Sequence, residues 1–114
     1  MIDQAQMLKG LLEGCILQVI SRGETYGYQI TEDLNEQGLD VNEGSVYPVL
    51  IRLQKKGMLS SVSKKSPLGP RRKYFDLTDE GRTYLKTFKT VWCDLSGVVT
   101  NIMKGACDES NGEE

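Results

Sequence analysis

Leu8, Leu11, Leu12, Cys15, Ile16 and Val19 recur at offsets of three and four, the stripe of one amphipathic helix from Ala5 to about Ser21. Gly10 and Gly14 lie inside that stretch, one turn apart. A helical glycine costs about 1 kcal/mol relative to alanine, so the pair predicts close approach of another helix. Arg22 and Gly23 end the first helix. Thr25 is placed to cap a second, with Tyr26, Ile30 and Leu34 inward, Tyr28 outward and Gly38 as its stop. A third helix opens on Asn42 as N-cap, with Val41 and Val46 in the positions of a hydrophobic staple, and ends at Gly57. At about 100° per residue, Val46, Val49, Leu50 and Leu53 fall inward, while Gly44, Tyr47, Pro48, Ile51, Arg52 and Lys55 fall on or beside the outward face.

Past Gly57 the period changes. Met58 to Lys65 and Arg71 to Leu77 read as two short strands joined by Ser66-Pro67-Leu68-Gly69-Pro70, where Pro67 and Gly69 suit the second and fourth positions of a type I turn. Phe75 and Leu77 alternate toward the body, and the far end of this hairpin is basic. Thr78 then caps a fourth helix with Asp79 and Glu80 in its first turn, where the helix dipole favours carboxylates. Leu85, Phe88, Trp92, Leu95, Val99 and Ile102 follow at alternating steps of three and four, a heptad seam. A helix from Asp79 to Lys104 would be about 39 Å long, against a radius of gyration of about 13 Å for a domain of this size. The seam therefore predicts a partner helix beyond the core. The segment 105–114 reads as a disordered acidic tail.

Charge sharpens this picture. The formal net charge is -2, yet residues 44–74 hold eight Lys or Arg and no Asp or Glu. Residues 1–43 hold eight acids against two bases, and residues 75–114 eight against four. Such sorting points to a polyanionic partner for the middle segment, most plausibly nucleic acid. Enzyme chemistry finds little to work with, since the chain has no histidine, no phosphate-cradling glycine motif and no paired acids at a strand end. Cys15, Cys93 and Cys107 form no CxxC and have no histidine to complete a zinc site, so neither metal nor cofactor is expected. With no run of 18 apolar residues and no signal-peptide layout at MIDQAQMLKG, the expectation is a cytoplasmic protein with free thiols and no membrane contact.

Three helices and then a basic two-stranded hairpin is the order of a winged helix-turn-helix. In that fold the third helix enters the major groove and the hairpin, the wing, lies on the backbone or minor groove. The expected fold is mainly α with this small β hairpin: a DNA-binding domain over residues 1–78 and a long C-terminal dimerisation helix over 79–104. On their residues alone, Arg52 and Lys55 on the outward face and Lys64 and Lys65 at the wing shoulder are contacts for phosphate or base.

LEGCILQVI, ETYGYQI, EGSVYPVLIRLQKKGML and GPRRKYFDLTDEG, followed by a terminal amphipathic helix, resemble the PadR-type transcriptional regulators of the small subclass with a single C-terminal helix. The resemblance runs from about Met7 to Met103. It implies a homodimeric repressor on a palindromic operator in double-stranded DNA, with Tyr28, Ser45, Tyr47, Arg71, Arg72 and Lys73 on the motif positions that face DNA. It also implies that the last helix, with the first, makes the dimer through Leu8, Leu11, Leu85, Phe88, Trp92, Leu95, Val99 and Ile102. On the seam alone Phe88 and Trp92 read as filling of a dimer core; small members of that family bind flat hydrophobic or cationic compounds between these helices, which offers the same two residues as the alternative site for a small aromatic effector. Ile51 departs from the family pattern, standing where many members have a basic or polar residue. A different class of function, a winged helix that docks an acidic protein, is separated from this one by steeply salt-dependent binding to duplex DNA.

Overall fold

A computed structural model of the chain describes residues 4–67 and 69–104. The segment expected to be a disordered acidic tail lies outside the described residues, as does Leu68 of the expected type I turn. The order of elements is α1 (Gln4–Met7), α2 (Leu12–Ile20), β1 (Thr25–Tyr26), α3 (Gly27–Glu36), α4 (Glu43–Lys55), β2 (Leu59–Lys65), β3 (Arg71–Leu77) and α5 (Asp79–Ile102). The three strands form one antiparallel sheet in the order β1-β3-β2.

Ile16, Leu17 and Ile20 of α2, Ile30 of α3, Val46, Leu50 and Leu53 of α4 and Phe75 of β3 are fully buried against one another. Each such side chain contributes about 1.5 to 3 kcal/mol when withdrawn from water. The inward face expected for α4 is the buried one, and its cap forms as the sequence predicts: Asn42 Oδ1 accepts from the Ser45 amide at 3.0 Å. Ser45 completes the reciprocal bond to the Asn42 amide, the part more often taken by Glu or Gln. At the other end of the hairpin, Thr78 Oγ1 accepts from Gly81 N at 3.0 Å and donates to the Gly57 carbonyl at 2.6 Å. Gly81 is buried so tightly that a Cβ there would overlap the Met58 carbonyl oxygen. The first turn of α5 is thus fixed onto the turn that ends α4.

Four expectations are corrected. The first helix is not continuous: residues 8–11 form a turn between α1 and α2, with Gly10 at φ +85°, a left-handed conformation that suits glycine. Only Gly14 makes the close approach expected of the pair, since a Cβ there would overlap the Phe88 ring of α5. Thr25 caps nothing. It pairs with Phe75 in β1, a third strand, while Tyr26 holds the N-cap position of α3 without a side-chain bond. Tyr26 is accordingly a sheet residue, paired with Tyr74, and not part of the inward face of a helix.

The long axis of the molecule is 55 Å against 28 and 23 Å for the others, with a radius of gyration of 16.5 Å. The length comes from α5, whose 24 residues bury only Gly81 and Leu85.

Candidate nucleic-acid interface

The register of the wing sets its chemistry. Lys64 stands opposite Arg72 and Lys65 opposite Arg71, so two successive rungs of the ladder pair like charges. Such pairs destabilise a sheet by about 0.2 to 1 kcal/mol each. Because side chains alternate across the pleat, Lys64 and Arg72 share one face with Tyr74 and Tyr26, whereas Lys65, Arg71 and Lys73 share the other with Phe75.

The first face is locally anchored. Tyr26 and Tyr74 meet edge to face at 5.3 Å, Arg72 stacks over Tyr26 at 4.6 Å, and Lys64 Nζ lies 4.7 Å above Tyr74. Lys64 also donates to the Glu24 carboxylate, which holds it charged and raises its pKa above the usual lysine value. On the second face Arg71 donates to the Ser63 carbonyl at 2.9 Å, and Lys73 Nζ lies 5.9 Å from the Phe75 ring. Lys65 makes no ion pair among the described residues. Tyr74, which orders the wing with Tyr26, was not singled out from the sequence, and Tyr26 was placed on a helix; the alternation of aromatic and basic residues around Tyr74 was the available signal.

Tyr47 and Lys55 are exposed on α4, and Tyr28 is exposed in the first turn of α3. Gly27, beside Tyr28, abuts Leu50 and the Tyr47 ring, so the two exposed tyrosines rise from one helix crossing. Ser45 is exposed, but its hydroxyl is engaged with Asn42 in the helix cap. Ile51 is half-buried. Arg52 is half-exposed and turns toward the neighbouring helix, with Nε 3.8 Å from Glu13 Oε2. Lys56 lies 3.4 Å from the same oxygen. Neither Glu13 nor Lys56 was anticipated, because no local pattern joins residues 13 and 56.

On α5, Trp92, Leu95, Val99 and Ile102 are exposed as the seam predicts and Phe88 is half-buried, as is Leu11 in the turn before α2. Leu8 and Leu85 differ: both are buried within the single chain, at 9% and 6% exposure, and offer a partner little surface. Val91 and Val98, seven residues apart and exposed, widen the apolar stripe beyond the expected seam. A cleft of about 560 Å³ opens between α2, α3 and α5, walled by Val19, Leu34, Leu85, Phe88 and Trp92 and reaching Arg22 and Lys89. Gln18 Oε1 is buried there without a hydrogen-bond partner. Cys15, on the same wall, has its thiol pKa pushed up by burial. Among the described residues no group of His, Cys, Asp and Glu could hold a metal ion, and no helix is long and apolar enough to cross a membrane.

The model of the Transcriptional regulator PadR-like family matches residues 16–87, more than half of the chain. A PadR-like transcriptional regulator from Bacillus cereus is 48% identical, with a TM-score of 0.78 over 88% of this chain and 98% of its own. A Streptococcus transcriptional regulator is 43% identical, with a TM-score of 0.77 over 85% and 96%. Bacillus subtilis PadR, solved in complex with operator DNA, is 28% identical with a TM-score of 0.62, over 68% of this chain and 45% of that one.

Proposed function

Because the chain belongs to the PadR-like family of transcriptional regulators, a family of regulators and not of enzymes, we propose that it binds a two-fold symmetric operator on double-stranded DNA as a homodimer and represses transcription. The observation that carries this reading is the wing, where Lys65 opposes Arg71 at a cost in sheet stability beside a second cationic rung, Lys64 and Arg72, that Glu24 and two tyrosine rings compensate. A polyanion laid along the ladder offsets that repulsion. The operator complex of the Bacillus subtilis relative supports the choice of duplex DNA as the polyanion. The exposed stripe on α5 is the surface a second copy would cover, and chromosomal DNA as the target places the protein in the cytoplasm.

In this reading Lys65, Arg71 and Lys73 hold phosphates, Lys64 and Arg72 reach them from the anchored face, and Tyr28, Tyr47 and Lys55 face the groove. Lys65→Ala should weaken binding about equally to every sequence, whereas Lys55→Ala should also relax preference at one base position by about 1 to 3 kcal/mol. Binding curves against a panel of single-base operator variants check both. Equal loss on every variant for Lys55→Ala would remove it from base readout.

We also propose release by a flat apolar effector at the dimer interface, which the cleft between α2, α3 and α5 supports because Trp92 of the seam forms part of its wall. Trp92 is the sole tryptophan, so a planar aromatic dye entering the cleft should quench the protein's fluorescence. Dye and DNA should weaken each other by the same factor. Trp92→Phe should keep the dimer and lose dye affinity by calorimetry. A dye panel that leaves both fluorescence and DNA affinity unchanged would reduce Trp92 to packing.

A further inference from the structure

Glu13 lies where three elements meet. It stands in the first turn of α2, is 13% exposed, and its two oxygens face different helices. Oε1 accepts from the Tyr84 hydroxyl of α5 at 2.9 Å. Oε2 faces Lys56 at 3.4 Å and Arg52 at 3.8 Å, at the C-terminal end of α4. The bond to Glu13 is the main cause of the raised Tyr84 pKa. Its neighbour Gly14 is pressed against the Phe88 ring, which in turn lies 6.4 Å from the Tyr84 ring. One carboxylate therefore touches the helix that carries the apolar seam and the helix that carries the outward cations.

We propose that Glu13 is a positioning residue through which α5 sets how far Arg52 and Lys56 are available to DNA. A carboxylate this enclosed needs its donors, because an unpaired buried charge is costly. While Tyr84 satisfies Oε1, the hold on the two cations is shared and loose, as the 3.4 and 3.8 Å separations record. If displacement of the Phe88 ring turns the Tyr84 side chain and withdraws its hydroxyl, Glu13 must recover that bond from Arg52 and Lys56, and a guanidinium can supply it in bidentate form. Cations gripped in this way are withheld from phosphate. A rearrangement at the Phe88 seam thus reaches α4 through Tyr84 and Glu13, without any motion of the wing.

This inference rests on the DNA-binding reading, and one double-mutant cycle separates their fates. The probe is a mixed-sequence duplex of about 30 base pairs, long enough for two half-sites a helical turn apart. Affinity is measured for the full chain across a salt series. Glu13→Gln, which keeps the shape and removes the charge, should tighten binding about tenfold. It should also steepen the slope of log K against log salt by about 1.8 per dimer, one newly engaged phosphate per subunit. Tyr84→Phe should weaken binding at least about threefold and flatten the slope, since two cations become more tightly held. With Gln at position 13, Tyr84→Phe should change neither quantity, because Tyr84 acts only through Glu13. A merely structural Tyr84 would lower the melting temperature, leave the salt slope unchanged and add to Glu13→Gln in the double variant. Weaker binding by Glu13→Gln, or additivity, overturns the coupling. Failure of the unmutated protein to bind the duplex overturns the DNA-binding reading itself.

Discussion

Raising salt from 50 to 200 mM should weaken binding of the dimer to duplex DNA by about a thousandfold. The basis is counterion release: if each subunit neutralises three phosphates, log K falls with log salt at a slope near about -5. Lys65, Arg71 and Lys73, on one face of the wing, are enough to supply those three contacts. Arg71 is already oriented by its bond to the Ser63 carbonyl, so less side-chain entropy is lost when it meets a phosphate. Replacing all three by alanine should bring the slope to about -1 or shallower and leave residual binding to α3 and α4. Such a variant should fold at least as well as the parent, because one like-charge rung disappears and another is unaffected. A slope shallower than about -2 for the unmutated protein would remove the electrostatic account. Tight, salt-sensitive binding to an acidic protein with none to duplex DNA would favour the protein-docking alternative.

The other large effect is expected on α5. Leu95→Asp places a charge in the middle of a stripe where Val91, Trp92, Leu95, Val98 and Val99 are all exposed in the single chain. Two copies closing on that stripe would enclose two unpaired carboxylates, each costing several kcal/mol. The dimer constant should therefore rise by at least about a thousandfold, read by sedimentation at micromolar concentration. The domain itself should survive, since beyond Leu85 the helix contributes nothing to the buried core. The distal half of α5 should lose helicity, because a helix without packing is marginal in water. DNA affinity should drop by about a hundredfold or more as the linkage between two half-site contacts is lost. A Leu95→Asp protein that stays dimeric would show that a different surface joins the two copies.

Much of the fold is legible in the chain because local chemistry and tertiary packing agree there. Asn42 and Thr78 cap the helices their positions predict, the inward face of α4 follows from its period, and a tip rich in Pro and Gly separates two strands with basic shoulders. The break at Gly10 is hidden because the apolar spacing runs through it: Leu8 and Ile16, on either side of Gly10, are both buried. A strand of two residues, Thr25–Tyr26, has no period at all, and only its pairing with β3 reveals it. Of the proposed binding residues, the wing cations were readable as a run of like charge. The links that orient them were not, since Glu24 to Lys64 and Glu13 to Arg52 join residues far apart in sequence. The width of the α5 stripe was missed for another reason: Val91 and Val98 sit one position before Trp92 and Val99, and a strict heptad reading passes over them.

The central claim is that two copies of this chain grip one two-fold DNA site. Chemical protection of a duplex recovered from the protein's own fragmented genome, combined with the mass of the complex, tests it most directly. The account predicts two chains on each site and two symmetric protected half-sites centred about 34 Å, one helical turn, or a multiple of it apart. One chain on a single unsymmetric stretch, or no protection at low salt, would contradict it.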